Sequence, residues 1–345
     1  MTSRVLYVGT FVGDATTRRN RSYNEDLADR LEARGMTVTR TSARFGRAAR
    51  LADMLYTTWA KRHAYDVAVV SVFSGAAFIW AEAVCFELRR LRKPYVLALH
   101  GGLLHEFAKR WPRRVRRLLA TAAVVAAPSA FLRDRMSEYH DDIIILPNAV
   151  DAQSYSFRLR AQPRPHLVWL RAFHEIYNPS LAIDVVVGLA HEFPELELSM
   201  IGPDKDGSRA AVEARAREAG VAERVHFVGG VAHHDVARYL DGADVFLNTT
   251  NVDNTPVSVL EAAASGLCLV STAVGGIPFL LGHDRNALLV PPRDPSAMCA
   301  AVERVLHEPG LGERLSRGAR ELAIEHDWSG VLTRWEHTLE QVAHG

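Results

Sequence analysis

Cysteine is scarce: Cys85, Cys268 and Cys299 are the three thiols in 345 residues, far apart in apolar surroundings. Their spacing matches no metal site, and such sparse use suits a reducing compartment in which each thiol is a small core residue. Long apolar runs are also missing. Residues 67–81 and 118–127 are interrupted or fall short of the roughly 20 residues a membrane-spanning helix needs. The opening MTSRVLYVGTFVGD has too short an apolar stretch before Gly9 and Asp14 for a secretory leader. It reads as a first strand, and the expected location is cytoplasmic. Internal repeats and low-complexity tracts are absent. A hydrophobic content of 48% and a charged content of 23% are those of a globular protein, which excludes a disordered or fibrous one.

Two motifs are missing as well. The glycines that follow the first strand, Gly9 and Gly13, do not make the G-x-G-x-x-G of a dinucleotide site, so binding of NAD is not expected. Asp204-Lys205-Asp206 has the letters of a metal-binding Asp-x-Asp run but falls in a loop. No metal and no cofactor are therefore expected.

The length suits two domains. Residues 1–150 hold 24 Lys plus Arg against 14 Asp plus Glu, a net +10, whereas residues 151–345 hold 17 against 26, a net −9. The boundary is placed near 150, before the polar, proline-bearing stretch 153–165. Runs of Val, Ile and Leu at 5–8, 67–72, 95–99, 124–127 and 143–146 read as buried parallel strands, as do 167–170, 196–201, 225–228, 245–248 and 268–271. Helical spacing is found at 24–34, in a segment ending at Arg92, and at 179–192, 208–219, 234–241, 257–265 and 295–307. Alternating strands and helices in both halves predict an α/β protein of two doubly wound, Rossmann-like parallel sheets, with ligands at the carboxyl ends of the strands in a cleft between the domains.

The segment 253–261, DNTPVSVLE, carries the chemistry. Asp253, Asn254, Thr255 and Pro256 form a turn that becomes a helix at about Pro256, a residue at home in a first helical turn. Such a start aims backbone N–H groups at a pyrophosphate. Glu261, one turn further in, can accept hydrogen bonds from the vicinal diol of a ribose, and Asp253 can reach the sugar beyond the phosphates. On spacing alone, the pair also reads as a turn residue and a surface helix residue.

The stretch 244–281 resembles the donor-binding signature of family 4 retaining glycosyltransferases with the GT-B fold. Two acidic residues separated by seven others precede a small-residue helix, a glycine and a strand ending in Gly-Gly-Ile-Pro. Glu261, Gly266, Gly275, Gly276 and Pro278 fall in place, while Asp253 stands where the family usually has glutamate. The resemblance covers most of the chain and is weaker in the first 60 residues. It implies an acceptor-binding domain at 1–150, a donor-binding domain at 151–328 and a carboxyl-terminal helix at 329–345 that crosses back to the first domain.

The same resemblance assigns roles. Arg171 binds the donor pyrophosphate, a task suited to a bidentate guanidinium. The lysine that usually follows is missing from His174-Glu175-Ile176-Tyr177-Asn178-Pro179, which leaves His174 or the helix start at Asn178 to compensate. Gly202 and Gly229 lie in loops that approach the phosphate and the base, Gly13 in a loop near phosphate and acceptor, and Asn254 to Val257 against the donor. His100, ending the run YVLALHGG, contacts the donor sugar near the reacting carbon. The turn Pro147-Asn148-Ala149-Val150-Asp151 has alanine where the family has glycine. Transfer from a UDP-, GDP- or dTDP-sugar retains the anomeric configuration, the leaving phosphate serves as base, and His100, Arg171 and Asp253 are the catalytic set.

The acceptor is open among a glycan, a lipid-linked saccharide and a small molecule. Residues 109–117, KRWPRRVRR, gather six cations, and Arg44, Arg47, Arg50, Arg89, Arg90, Arg92 and Lys93 add to the same domain. A basic face of this kind can dock on the anionic inner leaflet, hold an anionic soluble acceptor or simply be solvated. Without interleaved aromatics or a recognised motif it does not predict nucleic-acid binding. The other readings of the whole chain are a noncatalytic protein that binds sugar nucleotides or glycans and an epimerase of nucleotide sugars.

Overall fold

A computed structural model describes residues 3–11 and 23–345. The chain forms two compact units, Met1–Asn148 with Ser329–Gly345, and Ala149–Trp328. In the first unit the strands are β1 (Arg4–Val8), β2 (Thr37–Thr41), β3 (Val67–Val72), β4 (Tyr95–Leu99), β5 (Val124–Ala127) and β6 (Ile143–Ile145). They pair in parallel in the order β2-β1-β3-β4-β5-β6. In the second unit, β7 (His166–Leu170), β8 (Glu197–Ile201), β9 (Val225–Gly229), β10 (Val245–Asn248), β11 (Cys268–Thr272) and β12 (Ala287–Val290) pair in parallel in the order β12-β11-β10-β7-β8-β9.

Helices cover both faces of each sheet, so the inner strands are mostly apolar along their length rather than at alternate positions. In β7, Leu167 and Trp169 pack toward the helices Pro179–Leu189 and Pro295–His307, while Val168 and Leu170 pack toward Val257–Ala264 and Leu311–Glu325. Continuous burial of this kind is why the strand boundaries at 67–72, 95–99 and 245–248 agree with the sequence reading. β2 and β12 went unforeseen. Both are outermost strands; β2 reads TVTRT, with a half-exposed polar pattern, and β12 spans only four residues. The helix Arg47–Ala60 was also unforeseen; on it only Met54 and Thr58 are buried.

The polar stretch placed at the domain boundary is not a solvated linker. Arg160 within it is 1% exposed. Its guanidinium donates to the carbonyls of Arg158, Ser265, Leu240 and Ala243 and lies beside the buried carboxylate of Asp244, which also accepts from Arg158 and Arg164. Arginine reads as polar in a sequence, and its burial becomes legible only once Asp244 and these carbonyls surround it. The three thiols are free; Cys85 and Cys268 are buried, and burial pushes both up to about 12.

Candidate active site

In the second unit the first strand, β7, lies beside the fourth, β10, and their crossovers leave in opposite directions. Such a switch point opens a crevice outside the carboxyl ends of the strands. Arg171 follows β7, Gly202 follows β8, Gly229 ends β9, the loop 249–256 follows β10 and Gly275-Gly276 follow β11. These candidate residues from the second half of the sequence thus lie together at the carboxyl ends of the strands of one sheet. Gly13 lies outside the described residues.

Buried hydroxyls fix the loop after β10. Trp169 Nε1 donates to Thr249 Oγ1 (2.9 Å), which donates to the Tyr177 carbonyl (2.8 Å). Thr272 Oγ1 donates to the Thr250 carbonyl (2.6 Å), and the Asn251 amide to the Ile176 carbonyl (2.8 Å). At the far end the Gly276 amide donates to the Asp253 carbonyl (3.1 Å). A Cβ at Gly276 would overlap the backbone of Asn254, so only glycine allows this approach. Gly202, at φ 148°, is constrained likewise, since a Cβ there would fall on the Arg171 carbonyl.

Arg171 and Asp253 meet directly as an ion pair. The Arg171 guanidinium also lies over the Tyr177 ring, 4.3 Å from its centroid, and Asp253 Oδ1 accepts the Asn254 amide (2.9 Å). The side chain one methylene shorter than the usual glutamate therefore aims the guanidinium, and both charges stand at the edge of the crevice. Asn254, Thr255 and Pro256 are buried, and the helix Val257–Ala264 starts after Pro256 as expected.

Glu261 is 6% exposed, which removes the reading of it as a surface helix residue. It accepts a hydrogen bond from Tyr155 Oη (2.9 Å), and His233 Nδ1 lies 3.4 Å away. Sequence reasoning missed Tyr155 and His233; both reach Glu261 from distant segments, and no local pattern announces them. At His174, Nδ1 accepts the Ile176 amide (3.1 Å) and lies 3.8 Å from Asp206. Asp204 and Asp206 accept the amides of Gly207, Glu175 and Ser208 and build the loop in which they lie.

In the first unit His100 follows β4, where its amide donates to the Val72 carbonyl (2.9 Å) and its ring stacks on Phe73 at 4.9 Å. Nε2 is buried with no partner among the described residues, and burial lowers the pKa to about 4. The ring is therefore neutral at pH 7. Because the unfolded chain binds the proton more tightly, stability falls as pH drops from about 6.5 toward 4. Denaturant melts at pH 7.5 and 5 are expected to show wild type losing about 1–2 kcal/mol more than His100→Gln. Equal losses would mean that the ring is solvated.

Residues 164–308 match the family described as glycosyl transferases group 1, and residues 15–154 match glycosyltransferase family 4. The glycogen synthase of Mycobacterium tuberculosis is 27% identical over 213 residues, 59% of this chain and 51% of that protein, so the chain spans about half the length of that relative. Sucrose-phosphate synthase from Thermosynechococcus elongatus has a similar fold, with a TM-score of 0.81 at 17% identity over 98% of both chains. HepE from Anabaena, solved in complex with UDP-glucose, has a TM-score of 0.75 at 15% identity over 98% of this chain and 100% of that one. With one family matched on each half and the paired parallel sheets of the GT-B fold in common, the chain belongs to the group 1, family 4 type of glycosyltransferases.

Proposed function

We propose that this chain transfers a glycosyl unit from a UDP-, GDP- or dTDP-sugar to an acceptor hydroxyl, with retention of configuration and without a metal or other cofactor. The observation that carries the reading is a buried carboxylate, Glu261, on the helix that starts beside the anchored guanidinium of Arg171. A carboxylate suits a ribose diol, and a guanidinium beside a helix start suits a diphosphate. The nucleotide sugar already holds its leaving group, so the work left to the protein is to stabilise charge on the departing diphosphate. Arg171 and the helix start after Pro256 supply that. The leaving phosphate takes the acceptor proton, so no side chain is assigned as base. His100 keeps the role implied by family resemblance, lowering turnover more than affinity when replaced.

The name of the Anabaena complex makes UDP-glucose the first donor to try. The acceptor is proposed to be a glycan, a lipid-linked saccharide or a small molecule, and the three free thiols suit a cytoplasmic setting. Incubation of the chain with UDP-, GDP- and dTDP-sugars in EDTA, followed by NMR of the released sugar, tests the reaction. Slow release of sugar in the donor's own anomeric form is the expected result. Inversion, a strict metal requirement, or tight donor binding without turnover would each contradict part of the reading, the last in favour of a noncatalytic binder.

A further inference from the structure

The six cations of residues 109–117 dominate the sequence, but the fold uses several of them internally. Arg114 pairs with Glu82, Lys109 with Glu106 and Arg116 with Glu138. A different element is left facing outward. The helix Arg47–Ala60 turns Met54 and Thr58 inward. On its other side Ala49, Ala52, Tyr56 and Trp59 are exposed at three- and four-residue spacing, and Tyr56 and Trp59 are 68% and 51% exposed. Residues at such spacing share one face of a helix. The helix is thus apolar on two sides, and only one side has the core to cover it.

Its charge is equally one-sided. Between 42 and 65 the cations are Arg44, Arg47, Arg50, Lys61 and Arg62, against a single acid, Asp53, which accepts from Thr41 Oγ1 (3.3 Å). The cations gather toward the two ends of the apolar stripe. The neighbouring helix Phe78–Arg90 packs against it and continues the apolar surface with Ile79 and Phe86, each about half exposed; Arg89 and Arg90 stand at its end, and of its two acids, Glu82 and Glu87, the first is paired with Arg114. Arginines lie on the rings: Arg62 over Trp59 (4.7 Å), Arg50 over Trp80 (5.3 Å) and Arg89 over Phe86 (5.9 Å).

Soluble monomers rarely expose a contiguous apolar surface without a partner for it. An anionic bilayer matches both of its components, since Trp and Tyr settle at the headgroup level and Arg and Lys gain from anionic lipid. We infer that the outward face of Arg47–Ala60, continued by Phe78–Arg90, docks the protein on an anionic membrane. The inner sides of the two helices, through Met54 and Trp80, line a small pocket with Val8, Gly9, Ser71 and Phe73 at the carboxyl ends of β1 and β3. A docked membrane would lie beside that pocket. The inference stands on this surface alone and does not depend on which donor, if any, the second unit binds.

The test is co-sedimentation of the full chain with phosphatidylcholine vesicles with and without phosphatidylglycerol, at low and high salt. Binding is expected only with the anionic lipid and to weaken with salt, and Tyr56→Ser/Trp59→Ser and Arg44→Gln/Arg47→Gln are each expected to lower it about tenfold. Brominated lipid should quench wild-type tryptophan fluorescence more than that of Trp59→Phe, a conservative variant that reads the same contact should the serine variant misfold. Failure to bind anionic vesicles, or equal quenching of wild type and Trp59→Phe, overturns the inference. So does a wild-type dimer that Tyr56→Ser/Trp59→Ser converts to monomer, which would assign the stripe to self-association.

Discussion

Asp244→Ala is expected to destabilise the second unit by about 3–5 kcal/mol, the range for removing one partner of a buried ion pair. Asp244 and Arg160 are each 1% exposed. Burial opposes ionisation of Asp244, but hydrogen bonds from the Arg164 amide and guanidinium and from Arg158 outweigh it and hold the carboxyl below its ordinary range. Burial works the other way on Arg160, bringing it down to about 10, with Arg158 adding repulsion and Asp244 opposing the fall. Alanine would leave the Arg160 guanidinium charged and buried with carbonyls alone for company. Differential scanning calorimetry should record a midpoint about 10 °C lower. Asp244→Asn, which keeps an acceptor but loses the charge, should fall between alanine and wild type. A loss below about 1 kcal/mol for alanine would show that the carbonyls alone satisfy Arg160. The contribution of Asp244 is present above the unfolded carboxyl's pKa and is lost as pH falls through its lowered folded value.

The Asp244 cluster marks where sequence reading stopped. Inner strands such as β3 and β10 were legible because burial on both faces demands a mostly apolar run. The outermost β2 was not, since half of it meets solvent. In the site, Arg171, Asp253 and Glu261 stood out through spacing and family resemblance. Their surroundings did not: the Arg171–Asp253 pair spans 82 positions and the Tyr155–Glu261 bond 106. Such partners are chosen by the winding of the sheet, which brings the carboxyl ends of β7 and β10 together, and no local pattern encodes that choice. The aromatic stripe on Arg47–Ala60 was hidden for a different reason: its apolar residues Ala49, Ala52, Tyr56 and Trp59 face outward, and only Met54 and Thr58 are buried.

Glu261 is the residue on which the donor reading rests. Two hydrogen bonds from a ribose diol to a carboxylate are worth roughly 1.5–3 kcal/mol each. Tyr155 Oη already donates to Glu261 and so fixes the carboxylate before any ligand arrives. Burying a carboxylate opposes folding. Its removal relieves that cost but takes from Tyr155 Oη this buried acceptor, a loss of about 1 kcal/mol, so the ligand should weaken more than the fold, which separates a binding role from a structural one. The most direct measurement is calorimetric titration of UDP, GDP and dTDP into wild type, Glu261→Ala and Tyr155→Phe, with the thermal midpoint of each ligand-free protein recorded. UDP or GDP, whose ribose carries the diol, should bind wild type, with affinity about 100-fold lower for Glu261→Ala and about fivefold lower for Tyr155→Phe, while the midpoint of Glu261→Ala falls by only about 2–4 °C. If no diphosphate binds wild type, or if Glu261→Ala binds as tightly as wild type does, the nucleotide site is not where this account puts it.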